Sequence, residues 1–219
     1  MPPPLIVPSV LYNPRVQTTI FLCRHAEVHN PDRILYGRLP GFGLSDTGRA
    51  QAARLAGFLS SERLAVVYSS LMLRARQTAA QVLRLQPRSR LVFALGLIEV
   101  FTSWQGKPWS QLGGAMYYEP PANPTDETMV EVASRMRRFV ERVIRNHPNE
   151  TVAAISHGDP IAIYLMALHG VTLSEPDLRN NRTFYPELAS VNRLVFDEAG
   201  NLVERTYTSP RNQPETVLL

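Results

Sequence analysis

Cys23 is the only cysteine in 219 residues. The chain cannot assemble a disulfide or a thiolate zinc site from its own residues, which suits a reducing compartment and makes the cytoplasm the expected location. Lysine is just as scarce, with Lys107 the single example among 23 basic residues. No apolar run approaches the length of a bilayer-spanning helix, and Met1 to Val10 carries prolines where an export signal needs a basic stretch and then an apolar one. Neither export nor membrane insertion is expected.

Positive charge is therefore almost all arginine, whose planar fork of donors matches phosphate oxygens in pairs, so anionic ligands are the first class to consider. The formal net charge of +4 is too small to argue for nucleic acid. Hydrophobic residues at 44% and charged residues at 19% are ordinary for a folded chain, and the length fits one α/β domain. Residues 1–15, with five prolines, read as an irregular N-terminal arm, and residues 16–219 as one domain.

Thr18 to Cys23 is a β-branched and apolar run that stops at Arg24 and His25, as a buried parallel strand does. Ser45, Asp46 or Thr47 is suited to cap a helix with Ala52, Leu55, Phe58 and Leu59 on its apolar face. Leu64 to Tyr68 reads as a second strand, feeding a helix that opens near Ser69 or Ser70 and runs to about Leu85. Leu91 to Leu95 is a third strand candidate. Thr125 or Asp126 is the expected cap of a long helix whose outer face, around Arg135 to Arg145, is strongly basic. A fourth strand spans Thr151 to Ser156, ending at His157 and Gly158, with Pro160 fit for the first turn of another helix. Val191 to Phe196 and Leu202 to Tyr207 form a closing hairpin. Excursions near 100–125 and 171–190 have the composition of lids. The order implies a three-layer α/β/α sandwich around a mostly parallel sheet with an antiparallel edge strand, and in such sheets ligands bind at the carboxyl ends of the strands.

Arg24, His25, Arg74, Glu99 and His157 all fall at or just beyond those ends, and together they make an electropositive hole for a phosphate. A transferring phosphoryl group spreads charge over three oxygens and needs positioned cationic donors, for which Arg24 and Arg74 are suited. Surrounding cations keep an imidazole neutral and nucleophilic, which nominates His25, while a partly buried Glu99 is suited to protonate the leaving alkoxide and then to activate water.

The same residues carry a family resemblance. Cys23-Arg24-His25-Ala26-Glu27 resembles the Arg-His-Gly signature of the histidine phosphatase superfamily, which includes cofactor-dependent phosphoglycerate mutases and many phosphatases. Tyr36-Gly37-Arg38 through Leu44-Ser45-Asp46-Thr47-Gly48, Tyr68 through Ala79, Leu97-Ile98-Glu99 with Trp104-Gln105-Gly106, and Ile155-Ser156-His157-Gly158 are similar to its later blocks, in order. The resemblance spans about Thr18 to Val195 and implies a phosphoglycerate mutase-like fold. It implies a phosphorylated nucleophile at His25, phosphoryl binding by Arg24, Arg74 and His157, a proton donor at Glu99, and no metal or cofactor. Asn30 is carried over as a phosphate ligand although Pro31 follows it one place early. Ala26 replaces the usual glycine, and strain is expected there if that position needs positive φ. Arg38, Gly158 and Asp159 are additional candidates, with Asp159 also suited to cap the helix before Pro160 and Arg38 to remain in solvent.

The expected reaction is hydrolysis of a small phosphate monoester, with a phosphorylated metabolite as the partner and no nucleic acid or membrane. A homo-oligomer is compatible with the sequence. A phosphoglycerate mutase is the first alternative, disfavoured by Val100-Phe101-Thr102-Ser103 where mutases carry Arg-His-Tyr-Gly. A phospholigand-binding module without turnover, suggested by Ala26, is the second. Weak RNA or acidic-partner binding through the Arg135 to Arg145 face is the third, and a solvated helix face explains that pattern more simply. His25-Ala26-Glu27 lacks the cysteine pair of a zinc deaminase, and Arg49 and Ala50 stand where a P-loop needs lysine and a hydroxyl.

Overall fold

A computed structural model describes residues 17–112, 123–174, 178 and 183–209. The N-terminal arm lies outside the described residues, as do parts of both lid-like excursions. Among the described residues six strands form one sheet: β1 (Gln17–Arg24), β2 (Leu64–Ser69), β3 (Arg90–Phe93), β4 (Thr151–Ser156), β5 (Val191–Asp197) and β6 (Leu202–Thr208). Their spatial order is β3-β2-β4-β1-β5-β6. The pairs β3/β2, β2/β4 and β4/β1 are parallel, and antiparallel pairing is confined to β1/β5 and β5/β6 at one edge. Each central strand carries an apolar run, residues 20–23 of β1, 64–67 of β2 and 152–155 of β4, because both faces of the sheet are covered there.

Helices α1 (Asp46–Phe58) and α2 (Leu73–Arg84) cover one face, and α3 (Met129–Asn146) and α4 (Gly158–Leu168) the other. Leu55, Ala79 and Val82 pack with Phe21, Cys23 and Ile155 in the first layer. Val132, Met136, Val140 and Val143, spaced three or four apart, pack with Ile20, Leu22 and Val152 in the second. Cys23 is fully buried among these side chains, and its thiol is pushed far up by desolvation.

Helix starts differ from the expected ones where a local hydrogen bond decides them. Ser45 does cap α1, accepting from Gly48 N–H. The cap of α3 is Thr128 and neither Thr125 nor Asp126, because Thr128 forms a reciprocal capping box with Glu131. Asp126 instead accepts from the Ser103 amide at 2.7 Å and its hydroxyl at 2.9 Å, tying down the first excursion. Helix α2 begins at Leu73, four residues after the end of β2, because Ser69 and Ser70 remain at the strand end. Asp159 lies in the first turn of α4, whose cap position is His157.

Met136 is fully buried, so Met136→Ala should cost about 2–5 kcal/mol, whereas Thr128→Ala should cost about 1 kcal/mol by losing the cap. Urea unfolding of the two variants would measure this, and equal losses would contradict the assignment of stability to the α3 core face.

Candidate active site

Strand register brings the site together. Arg24 pairs with Ser156 across β1/β4, and Ser69 with Ile155 across β2/β4, so His25, His157 and Ser70 emerge at one level. The ladder continues one step past the strands, with His25 N–H donating to Ser156 O at 2.9 Å and Ser70 N–H to Ile155 O at 2.9 Å. The rings of His25 and His157 meet edge to face, with centroids 5.1 Å apart.

His25 is 1% exposed, and its Nδ1 lies 2.7 Å from the Ala26 carbonyl. A carbonyl only accepts, so Nδ1 carries the proton and Nε2 presents a lone pair. Arg74 Nε donates to that Nε2 at 3.2 Å. Burial, then Arg74 and Arg24, hold the imidazole well below its ordinary pKa, so it is neutral near pH 7. The Ala26 amide donates to Thr78 Oγ1 on α2 at 3.2 Å, and Thr78 in turn donates to the Arg74 carbonyl at 2.8 Å. Ala26 does not have a positive φ, and its methyl is buried in the α1/α2 layer, so the expected strain is absent.

His157 is fully buried, with Nε2 2.7 Å from Ser70 Oγ. Its Nδ1 has no hydrogen-bond partner and lies 3.6 Å from Glu99 Oε2. Burial and then Arg74 lower its pKa well below the ordinary range. Arg24 Nη1 donates to the Pro186 carbonyl at 2.8 Å, and its guanidinium lies over the Tyr185 ring, while its buried Nε is unpartnered. The Arg24 Nε–H is a buried donor without an acceptor, and His157 Nδ1 is a second in the tautomer in which the Ser70 hydroxyl donates to Nε2; an oxyanion satisfies both.

Arg74 is fully buried under Tyr36, 4.6 Å from the ring centroid. Its Nη2 donates to the Gly37 carbonyl at 2.9 Å and sits 3.5 Å from Glu99 Oε2. Gly37 has φ +40, and an added Cβ would fall 2.8 Å from Gln105 Oε1, so glycine is required to turn that carbonyl toward Arg74. A Cβ on Gly158 would meet Tyr185 Oη at 2.8 Å and Arg24 Cζ at 3.1 Å, which explains glycine beside the guanidinium. Glu99 accepts from the Val100 amide at 2.9 Å, and burial first, then Asp159, raise its pKa to about 7 against the pull of Arg74.

The cavity over these groups is small, about 60 Å³, and Arg24, His25, Tyr36, Glu99, Asp159 and Tyr185 are among its walls. Arg74 and His157 are not among its walls but lie directly behind them, Arg74 against His25 Nε2 at 3.2 Å and His157 against Glu99 at 3.6 Å. Asn30 is not brought there, since both ends of its amide pair with the Ile34 backbone, at 2.9 and 3.2 Å. Arg38 is neither in solvent nor free to reach a substrate: its Nε donates to the Glu99 carbonyl at 2.7 Å and its Nη2 to Glu127 at 2.5 Å. Asp159 accepts from Tyr185 Oη at 2.7 Å. Sequence reasoning gave no site role to Ser70 and Thr78, although both lie inside the Tyr68 to Ala79 block, nor to Tyr185 and Glu127, which carry no periodic or motif signal.

His25, Glu99 and His157 offer three potential metal-ligating atoms within 4.8 Å of one another. The Arg74 N–H directed at His25 Nε2, and a second guanidinium in the wall, suit an anion better than a divalent cation.

A family model described as the histidine phosphatase superfamily (branch 1) matches residues 20–208. An uncharacterized protein of Mycobacterium tuberculosis is 34% identical over 205 residues, covering 89% of this chain and 97% of its own. Phosphoserine phosphatase 1 of Hydrogenobacter thermophilus is 31% identical over 170 residues, covering 71% of this chain and 78% of its own. Among solved structures, Bacillus stearothermophilus YhfR matches with a TM-score of 0.74 at 25% identity, covering 84% of this chain and 94% of its own. These relatives support a phosphatase, and no helix among the described residues is long and apolar enough to cross a membrane.

The buried titratable groups set a pH dependence of stability. His25 and His157 have native pKa values below their ordinary 6.5, so as pH falls below 6.5 the unfolded chain takes up two protons that the native state refuses. Glu99, raised from 4.5 to about 7, opposes them, holding one proton in the native state between those values. The balance is small at 6.5, where each unfolded imidazole is only half protonated, and approaches one proton, or about 1.4 kcal/mol lost per pH unit, about one unit lower. Glu99→Gln removes the opposing group and should steepen the fall in Tm. An unchanged or shallower slope in that variant would contradict the assigned protonation states.

Proposed function

The chain belongs to the histidine phosphatase superfamily, and from that membership and the site geometry we propose that it hydrolyses a small phosphate monoester through a phosphohistidine on His25. The observation that carries this reading is the His25 Nδ1 to Ala26 carbonyl hydrogen bond of 2.7 Å, which leaves a neutral Nε2 facing the cationic cavity.

On substrate binding the Arg74 Nε–H turns from His25 Nε2 to a phosphoryl oxygen, and the freed Nε2 lone pair attacks phosphorus as the bond to the ester oxygen breaks, while the Glu99 carboxyl gives its proton to the departing alkoxide. Arg24, Arg74 and His157 Nδ1 donate to the three equatorial oxygens, where charge accumulates. Water then attacks phosphorus, its proton passes to the Glu99 carboxylate, and the P–N bond breaks to return neutral His25 and orthophosphate. A pKa of about 7 lets Glu99 serve as acid and then as base near neutrality. Ala26 at negative φ removes the reason to expect a site without turnover. The substrate is a phosphorylated metabolite, and phosphoserine, named for a relative, is the first to try.

Hydrolysis of p-nitrophenyl phosphate tests the reading. Wild type should turn it over and show an acid-labile, alkali-stable phosphoenzyme on rapid quench, while His25→Ala should lose turnover by roughly 10⁴-fold or more and show none. Activity retained in His25→Ala would end the proposal. A chelator should leave the rate unchanged.

Glu99 must be protonated to act on a poor leaving group, so kcat for phenyl phosphate should fall as pH rises through about 7. Glu99→Gln should lower kcat/KM, which excludes the shared dephosphorylation step, more for phenyl phosphate than for p-nitrophenyl phosphate, whose phenolate leaves without a proton. Equal losses on both esters would remove Glu99 from the acid role.

A further inference from the structure

The turn that carries Glu99 is gripped from outside the cavity. Its main-chain carbonyl accepts from Arg38 Nε at 2.7 Å and from Arg135 Nη2 at 3.3 Å. Both guanidiniums are bridged by one carboxylate, Glu127, with Arg38 Nη2 at 2.5 Å from Oε2 and Arg135 Nε at 2.9 Å from Oε1. Glu127 also accepts from the Phe101 amide at 2.9 Å, and its own amide donates to the Phe101 carbonyl at 3.0 Å. Arg135 Nη1 completes the grip on the Gly96 carbonyl at 2.9 Å. The segment from Gly96 to Phe101 is thus tied at three points to one carboxylate and two guanidiniums. Arg135 belongs to this network and not to a solvated basic face, since its side chain is 12% exposed.

We propose that Glu127 is a positioning residue for the proton donor, using Arg38 and Arg135 to fix the Glu99 backbone so that its carboxyl stays between Arg74 and the His157 Nδ1. This rests on Glu99 as the acid and base of the proposed reaction. One charged carboxylate is needed because it alone receives both forks; a neutral amide offers one acceptor and would confront the guanidiniums with its own N–H groups. The three exposures of 12–25% mean that an isolated pair would be partly screened, so the value of the network lies in geometry more than in stability.

Electrostatics give the inference a signature that mere folding support lacks. Facing Glu99 are Arg24 from β1, Arg74 from α2, Asp159 and His157 from the start of α4, and His25. Tyr36 and Tyr185 flank it, and Arg38 feels its charge from the loop while Arg135 approaches from α3. Glu127→Gln leaves the charges of Arg38 and Arg135 uncompensated beside Glu99, which favours its carboxylate form. Arg38→Met removes a cation and favours the acid.

The test is phenyl phosphate hydrolysis across pH, with Tm measured in parallel, for wild type, Glu127→Gln, Arg38→Met, Glu99→Gln and the double variant Glu99→Gln/Glu127→Gln. Glu127→Gln should lower kcat roughly tenfold or more with little change in KM, and its alkaline limb should move to lower pH. In Arg38→Met the limb should move to higher pH. The double variant should be no slower than Glu99→Gln alone, because the positioned group is already gone. Losses that multiply in the double variant, or a limb that stays in place while Tm falls, overturn the proposal. Wild-type kcat and pH profile in Glu99→Gln would instead overturn the acid role of Glu99, and the inference with it, while the His25 reading is judged separately by His25→Ala.

Discussion

The hydrogen bond from His25 Nδ1 to the next residue's carbonyl decides what the site can do. It fixes which nitrogen holds the proton, which way the ring faces and which lone pair meets the cavity. Had Nδ1 been free, the ring would have had two equivalent ways to sit and Arg74 no fixed acceptor. The bond holds because the amide of the same residue is fastened to Thr78, and Thr78 to the helix that carries Arg74. Nucleophile and principal cation are therefore positioned by one short chain of contacts.

Around that bond the charges are deliberately unequal. Arg24 and Arg74 converge on two neutral imidazoles, and the nearest carboxyl, Glu99, is near its midpoint at neutral pH. Burial of unpaired donors on Arg24 and His157 costs folding free energy that a bound oxyanion returns. A site built this way is least stable when empty, and its preference for an anion follows from what it leaves unsatisfied. The metal-like trio of His25, Glu99 and His157 is the same geometry seen without the guanidiniums.

Much of this was legible in the sequence, for identifiable reasons. Parallel strands buried on both faces announce themselves as apolar runs with abrupt polar ends, so Arg24, His25 and His157 could be placed at strand termini without coordinates. The hairpin β5/β6 was equally plain. Reading failed where a side chain's partner is chosen by tertiary structure. Asn30 pairs with a backbone four residues on, and Arg38 and Arg135 both bond to the Glu99 carbonyl, 61 and 36 residues away in sequence. Thr128 outcompetes Thr125 and Asp126 as a cap because Glu131 answers it. A solvated arginine and a buried bridging arginine look alike in one sequence, since the helix phase of Arg135 is only one turn from that of truly exposed neighbours.

The two halves of the chemistry hang from opposite faces of the sheet. The loop after His25 is braced by α1 and α2, through Thr78 to the Ala26 amide and through Gln51 to the Glu27 amide at 2.8 Å. The turn bearing Glu99 is braced by Arg135 on α3 in the other layer and by the end of β4 in the sheet itself, where Ser156 Oγ donates to the Leu97 carbonyl at 2.8 Å. What these two assemblies share is the sheet, and above all the register of β1, β4 and β2. A one-residue slip in that register would turn alternate side chains to the wrong face and separate the nucleophile from its acid, however well each layer packed on its own. The separation between Nε2 and the Glu99 carboxyl is thus set by hydrogen bonds several residues inside the sheet, and the apolar runs of those strands, which fill both cores at once, are what hold them in step.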